Sequence, residues 1–288
     1  MAQKQDPHPR RKGSVVWATV LSWLSSLLLA LLALCLVVLM TICSASYMKE
    51  QVNRSDFNEA AYSYLYDNFI SYGASSGFSA DVMTAALSRD QITADMADSI
   101  TRLYQGDTAI DTRNAILNTT YDNLINDLNS RSVEVTSDVE SAVVVADACR
   151  LDYANYVTVP LASQLYTFIE KCSRVVPVAV AIMAVLCAVS LFVMLRLAGS
   201  SRYGVRCLTF AFTAAAALCA LAATIIFPAI HMEALSINPA SVKQLIVTYV
   251  QNLFGRFGLF ALIYGAVAVI LLALTATARS RMKRRQNI

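Results

Sequence analysis

The residues from Gly13 to Met48 run for 36 positions without a charge, between Arg10-Arg11-Lys12 on one side and Lys49-Glu50 on the other. Crossing the hydrocarbon of a bilayer takes roughly 20 apolar residues in helical form, so this run is long enough to span and to continue beyond the far surface. Ten of its residues are leucine, and each favours the bilayer centre by about 0.5 kcal/mol. Their sum is on the order of 5 kcal/mol, and no buried charge opposes it. The segment inserts, and whatever follows it folds with one end tied to a membrane.

Three further uncharged runs are long enough to cross: Val175–Leu195, Cys207–Met232 and Phe257–Ala278. The composition agrees, with 57% hydrophobic and 15% charged residues against about 25% charged in soluble domains. Four spans place both termini on one side, and lysine and arginine mark the cytoplasmic side. Lys4, Arg10, Arg11 and Lys12 precede span one; Arg196, Arg202 and Arg206 join spans two and three; Arg279, Arg281, Lys283, Arg284 and Arg285 follow span four. Those twelve bases share their side with one acid, Asp6. Lys171 and Arg174 dissent locally but are outnumbered. The expected organisation is therefore an all-α four-helix transmembrane bundle with an extracellular helical domain inserted between spans one and two. Its parts are a cytoplasmic tail 1–13, span one 14–46, the helical domain 47–173, span two 174–196, a cytoplasmic loop 197–206, span three 207–230, an outer connection 231–256, span four 257–278 and a basic tail 279–288. The expected location is the plasma membrane with both termini cytoplasmic. The partners expected first are the lipid bilayer itself, then a membrane protein or a second copy. The basic tail anchors topology and favours anionic headgroups by about 1 kcal/mol per residue, and it is too short to suggest nucleic acid.

Ser44-Ala45-Ser46 resembles a small-residue cleavage site. The apolar region before it is about twice the usual 7–15 residues, which favours an uncleaved signal anchor. Of the seven cysteines, Cys35, Cys187 and Cys219 lie inside spans and Cys207 at a cytoplasmic edge. Cys43, Cys149 and Cys172 lie at or beyond the outer surface, where a bridge from Cys172 to Cys149 or Cys43 is conceivable.

Between Lys49 and Val159 there is no proline, and glycine stands only at 73, 77 and 106, a helical composition with built-in stops. The helix of span one is expected to run straight on. A helix over Tyr47–Tyr72 buries Tyr62, Leu65, Phe69 and Ile70, and Gly73–Gly77 forms a loop. Ser88 and Gln91 make a capping-box pattern opening a helix with Ile92, Met96, Ile100 and Leu103 on one face, stopped at Gly106. A helix near Asp111–Leu128 presents Leu117, Tyr121, Leu124, Ile125 and Leu128. After a polar break at Ser132–Val135, a helix from Thr136 buries Val139, Val143, Ala146 and Cys149. Pro160 then opens a segment with Leu161, Leu165 and Phe168. In the outer connection, Asn238-Pro239 reads as a helix start, with Val242, Leu245, Ile246, Tyr249, Leu253 and Phe254 on one face. That face either packs under the helical domain or lies on the membrane, and Gly255 and Gly258 allow a turn into span four. Small residues recur at four-residue intervals: Ala211, Ala215, Cys219 and Ala223 in span three, Ala184 and Ala188 in span two, Ala261 and Gly265 in span four. Close packing inside the bundle explains them, with homodimerisation as the sharper alternative.

Chemistry is mostly excluded. Residues 49–174 hold no histidine and no tryptophan, which removes Ser-His-Asp and Cys-His catalysis and histidine-based zinc sites from that segment. No EF-hand loop, Walker A sequence or dinucleotide fingerprint occurs. No ionisable group stands near the middle of a span, and His231 with Glu233 falls at an interface. Asn53-Arg54-Ser55 and Asn118-Thr119-Thr120 fit the glycosylation pattern. The same segment carries 18 acids and nine bases, so the expected surface is acidic. No catalytic, cofactor-binding or metal residue is nominated, and no cofactor.

Ser76-Gly77-Phe78-Ser79, Leu87 to Ile92, Leu103-Tyr104-Gln105-Gly106 and Ile110-Asp111-Thr112 resemble, in order and spacing, a group of uncharacterised four-span proteins of Gram-positive bacteria. The chain departs from that group's pattern by lacking a proline beside the first serine and glycine. The resemblance implies a four-span fold with an external helical domain in a bacterial plasma membrane, and it implies no activity. The expectation is a non-enzymatic membrane protein that recognises or scaffolds a peptide, an envelope component or a membrane partner, its extracellular ligand unknown. The alternative is a subunit of an oligomeric or multi-component transporter or channel.

Overall fold

A computed structural model describes residues 12–107, 113–131, 138–159, 162–198, 201–226 and 240–286. Among them 92% are helical and no strand occurs. The helices are α1 (Lys12–Thr41), α2 (Ala45–Arg54), α3 (Phe57–Ser76), α4 (Ala80–Thr84), α5 (Arg89–Gln105), α6 (Asn114–Ser130), α7 (Asp138–Val157), α8 (Ala162–Leu197), α9 (Ser201–Leu221, with a π turn at Ala222–Ile226) and α10 (Ala240–Gln286). Four helical segments are long and apolar enough to cross a membrane: Val16–Thr41, a stretch within Glu140–Leu197, Tyr203–Thr224 and Ser241–Thr277. The second range runs over both α7 and α8. Because α7 carries Glu140, Asp147, Arg150 and Asp152, its crossing portion is the uncharged run in α8. The chain divides into two compact units. One draws on Met1–Thr41, Ser173–Ala234 and Val250–Ile288, the other on Ile42–Cys172 and Leu235–Tyr249.

In the apolar unit, α1 packs on α9 through small side chains. Ala18, Ser22, Ser25, Ala33 and Val37 are buried on α1, and Ala211, Ala215 and Cys219 on α9. Without water to expel, helices in lipid gain from close backbone approach and shared hydrogen bonds. Here Ser22 Oγ donates to the Cys207 carbonyl at 2.6 Å, the Ser25 and Ser190 hydroxyls share a 2.7 Å bond, and Tyr264 donates to the Leu29 carbonyl at 3.0 Å. Intramolecular packing thus accounts for the span-three row. Ala184 and Ala188, by contrast, are exposed, because α8 turns Cys187, Ser190 and Met194 inward instead. Beyond its own stretch of helix, no atom of the described residues lies within 4 Å of where a Gly265 β-carbon would stand.

Span one does not run straight on. α1 ends at Thr41, whose hydroxyl bonds back to the Val37 carbonyl. Ser44 then adopts an extended conformation and caps α2, accepting from the Tyr47 amide at 3.3 Å. The Ile42 carbonyl freed by the break accepts the Tyr104 hydroxyl at 2.9 Å, so the interruption leaves that half-buried acceptor satisfied. A second break, at Asp56 in the left-handed region (φ 53°), separates α2 from α3; short polar side chains tolerate that conformation best after glycine.

The core of the helical unit is built by α3, α5, α6 and α7. Ile92, Met96, Ile100 and Leu103 are all buried, and Gly106 (φ 87°) ends α5, both as the sequence predicts. Ser88 starts α5 without a side-chain cap, and Gln91 bonds Asp95 instead of closing a box. α3 buries Leu65 and Phe69, with Tyr62 only partly covered. It runs through Gly73 and stops at Gly77 (φ 76°), so Gly73–Gly77 is the last helical turn and not a loop. Gly73 is required there because a β-carbon would collide with Cγ of buried Met83. In α6 the buried set is Ile116, Thr120, Leu124 and Leu128, with Leu117, Tyr121 and Ile125 at its margin. Val143 and Phe168 are exposed; α7 buries Ala142 and Val145 together with the expected Ala146 and Cys149, and Ile169 is buried next to Phe168. α10 packs Val242 and Leu245 on this core and continues through Gly255 and Gly258 without a turn. Two helical glycines cost only about 1 kcal/mol each, whereas a break in lipid strands several backbone groups. None of the seven cysteines is joined in a disulfide. Ser132–Val135, Pro160-Leu161, His231, Glu233 and Asn238-Pro239 lie outside the described residues.

Gly73→Ala overpacks the α3–α4 contact and is expected to destabilise the helical unit by about 1–3 kcal/mol. Thermal unfolding monitored by circular dichroism of the purified protein checks this; an unchanged midpoint contradicts it.

Candidate functional site

Every arginine of the described helical unit is paired with an acid of the same unit. Arg54 meets Glu50, Arg89 meets Glu59, Arg102 meets Asp107, Arg113 meets Asp95, Arg131 meets Asp127 and Arg150 meets Asp147. With acids in two-fold excess over bases across 49–174, that pairing consumes the arginines and leaves negative charge to face outward.

One of these pairs is architectural. Arg113 (φ 49°) precedes α6 and sends its guanidinium inward to the Asp95 carboxylate, the Asp95 carbonyl and Ser99 Oγ. Tyr153 donates to the second Asp95 oxygen at 2.7 Å, and Gln91 to the first at 2.9 Å. Burial, and then the bond to Asp95, raises the Tyr153 pKa far above that of an ordinary phenol. The network ties α5, α6 and α7 together with its carboxylate saturated, which suits a clamp.

The seam between α3 and α7 is different. Tyr64, Asn68 and Tyr72 recur every four residues and so share one face of α3. Opposite them, in antiparallel order, stand Tyr156, Asp152 and Cys149 of α7. The Tyr64 and Tyr156 rings stack at 4.7 Å, and Tyr156 stacks in turn with Phe57 at 6.0 Å. Asn68 Nδ2 donates to Asp152 Oδ2 at 2.6 Å, and the Tyr72 hydroxyl reaches the same oxygen at 3.4 Å. Burial, followed by the Asp152 charge, raises the Tyr72 pKa. Asp152 Oδ1 and the Tyr64 hydroxyl take no hydrogen bond among the described residues. Tyr64, the outer ring of the stack, is 44% exposed, and Leu151 beside Asp152 is 48% exposed. An exposed aromatic ring and a carboxylate with one open oxygen thus share this seam.

Reactive chemistry is poorly served here. Burial, with Asp152 adding to it, pushes the Cys149 thiol up to about 12, so at neutral pH it is not the thiolate that nucleophilic or metal-binding roles require. Among the described residues no three His, Cys, Asp or Glu side chains gather where a metal could bind. Asp107 is held by Arg102, and Asp111 lies outside the described residues. Thr120 is fully buried in mid-α6, so the Asn118-Thr119-Thr120 pattern does not offer its hydroxyl. Of the motif residues singled out in the sequence, Gly77 and Gly106 are left-handed helix stops, Phe78 is core and Tyr104 holds the Ile42 carbonyl. Ile110-Asp111-Thr112 lies outside the described residues. The seam was not nominated from sequence. Its one advance signal is the tyrosine density of 62–72, which reads equally well as an ordinary helix surface.

No family model matches the chain, and comparisons with curated proteins and with solved structures find no match.

If Tyr64 is presented for contact and Tyr156 is the part of the stack that supports the fold, truncating them has unequal effects. Tyr156→Ala is expected to cost about 3 kcal/mol through lost packing, and Tyr64→Ala under about 1 kcal/mol. Denaturant midpoints of the two variants check this; equal losses contradict it.

Proposed function

We propose that the chain is a non-catalytic, integral plasma-membrane protein that holds its helical unit outside the cell and uses the α3–α7 seam to recognise a peptide, an envelope component or a membrane partner. The observation that carries this reading is the stacked pair Tyr64–Tyr156 beside the half-engaged carboxylate of Asp152. Large aromatic rings with few rotatable bonds, next to a fixed polar group, are the usual centres of protein recognition surfaces. The orientation rests on the twelve bases flanking the spans. The kinship with four-span proteins of Gram-positive bacteria belongs to the same proposal and rests on the shared motif alone. The transport reading gains less support. The hydroxyls of Ser22, Ser25 and Ser26 in α1 each end on a carbonyl or on another hydroxyl, as expected of helix-packing contacts.

A photo-crosslinking amino acid placed at position 64, with position 119 on exposed α6 as control, tests the proposal in cells that make the protein. A discrete adduct from position 64 and none from position 119 is expected. Identical adducts from both positions, or none from either, contradict it.

A further inference from the structure

The helical unit already shows how it holds a cation. Arg89 lies over the Tyr62 ring, its guanidinium carbon 4.7 Å from the ring centroid, while Glu59, three residues before Tyr62 on α3, pairs with it at 2.9 Å. A ring face supplies a negative quadrupole and the carboxylate supplies charge, and the two reinforce each other on one guanidinium. The α3–α7 seam repeats these components with no arginine of the described unit to fill them. Tyr64 offers an exposed ring at the end of a stack, and Asp152 offers Oδ1, while its Oδ2 is fixed by Asn68 and Tyr72 from α3. Asn68 thereby orients the carboxylate without consuming it. The charge balance points the same way, since the unit's own six arginines each have a partner and acids remain in excess.

The geometry points to a partner whose arginine side chain seats on Tyr64 with its guanidinium on Asp152 Oδ1, so that the seam is a receptor for a basic polypeptide segment. This rests on the recognition reading above and adds to it the chemistry of the ligand. Guanidinium is favoured over ammonium because it is planar, stacks on a ring and presents a donor edge to a carboxylate at the same time. The step is binding alone, with no bond made or broken.

The test uses the full-length protein in nanodiscs of uncharged phosphatidylcholine, so that the lipid does not attract the probe. The probes are a fluorescein-labelled peptide of alternating glycine and arginine, and the same peptide with citrulline, which keeps the shape and loses the charge. The arginine peptide is expected to bind about tenfold tighter than the citrulline peptide, the ratio that about 1.4 kcal/mol provides. Asp152→Asn keeps an oxygen for Asn68 and is expected to remove most of that preference. Tyr64→Leu, at a position open enough to spare the fold, is expected to do the same. Asp67→Asn removes an equal charge from an exposed position on α3 within one turn of Tyr64 and is expected to change affinity by less than about twofold, because an exposed charge is screened by water and salt. Equal binding of the two peptides overturns the inference, as does an effect of Asp67→Asn matching that of Asp152→Asn, which would reduce the binding to diffuse attraction. Crosslinking from position 64 does not depend on ligand charge. A partner captured there by a protein indifferent to arginine would defeat this inference and leave recognition standing.

Discussion

Hydrocarbon cannot hydrogen-bond, so each peptide group inside it must find its partner within the protein. That constraint governs the apolar half of this chain and explains why its sequence could afford glycines at 255, 258 and 265 and a proline at 177 inside long helices. In water such residues end helices; in lipid, ending one is the costlier event. The same absence of solvent changes what holds the helices together. The contact of α1 with α9 relies on alanine, serine and cysteine, whose small side chains let backbones approach, and on hydroxyls that reach a neighbouring carbonyl.

Where the chain leaves that regime the rules reverse, and residues 42–56 show it. Ser44, Ser55 and Asp56 interrupt what would otherwise be one long helix, because in water local side-chain bonds compete with helix continuity. The breaks turn α2 and α3 so that their apolar faces meet α5 and α7 in a single core. Tyrosine serves this unit throughout, since its ring packs while its hydroxyl finds a carbonyl or carboxylate. Tyr104, Tyr153 and Tyr72 each do so. Among the described residues Tyr62, Tyr64 and Tyr66 have ring contacts without a hydroxyl bond, and Tyr64 alone of these stacks on the α7 ring one turn from Asp152.

Much of the architecture was legible in the residues. The four spans follow from uncharged runs, the α5 face from its spacing, and the Gly77 and Gly106 stops from the rarity of glycine. Errors arose where one residue decides between two local outcomes. Gly73 reads as a breaker, yet it is a notch for Met83. Val143 reads as core by its spacing, yet α7 buries Ala142 and Val145 alongside the expected Ala146 and Cys149, a choice that apolar periodicity cannot make when the neighbours of Val143 are apolar too. Ala184 and Ala188 suggested packing because small residues permit it, though nothing in their spacing demands it. The α3–α7 seam depends on which α7 residues come to lie opposite positions 64, 68 and 72, and that pairing spans some 80 residues of chain.

In the proposed topology the helical unit lies outside the cell while both tails lie within. Single cysteines introduced at Ser71 and at Lys283 of an otherwise cysteine-free protein, treated in intact cells with a membrane-impermeant maleimide, report on this directly. Labelling at 71 in intact cells, with labelling at 283 only after permeabilisation, is the predicted result. The reverse pattern, or equal labelling of both sites before permeabilisation, would contradict it.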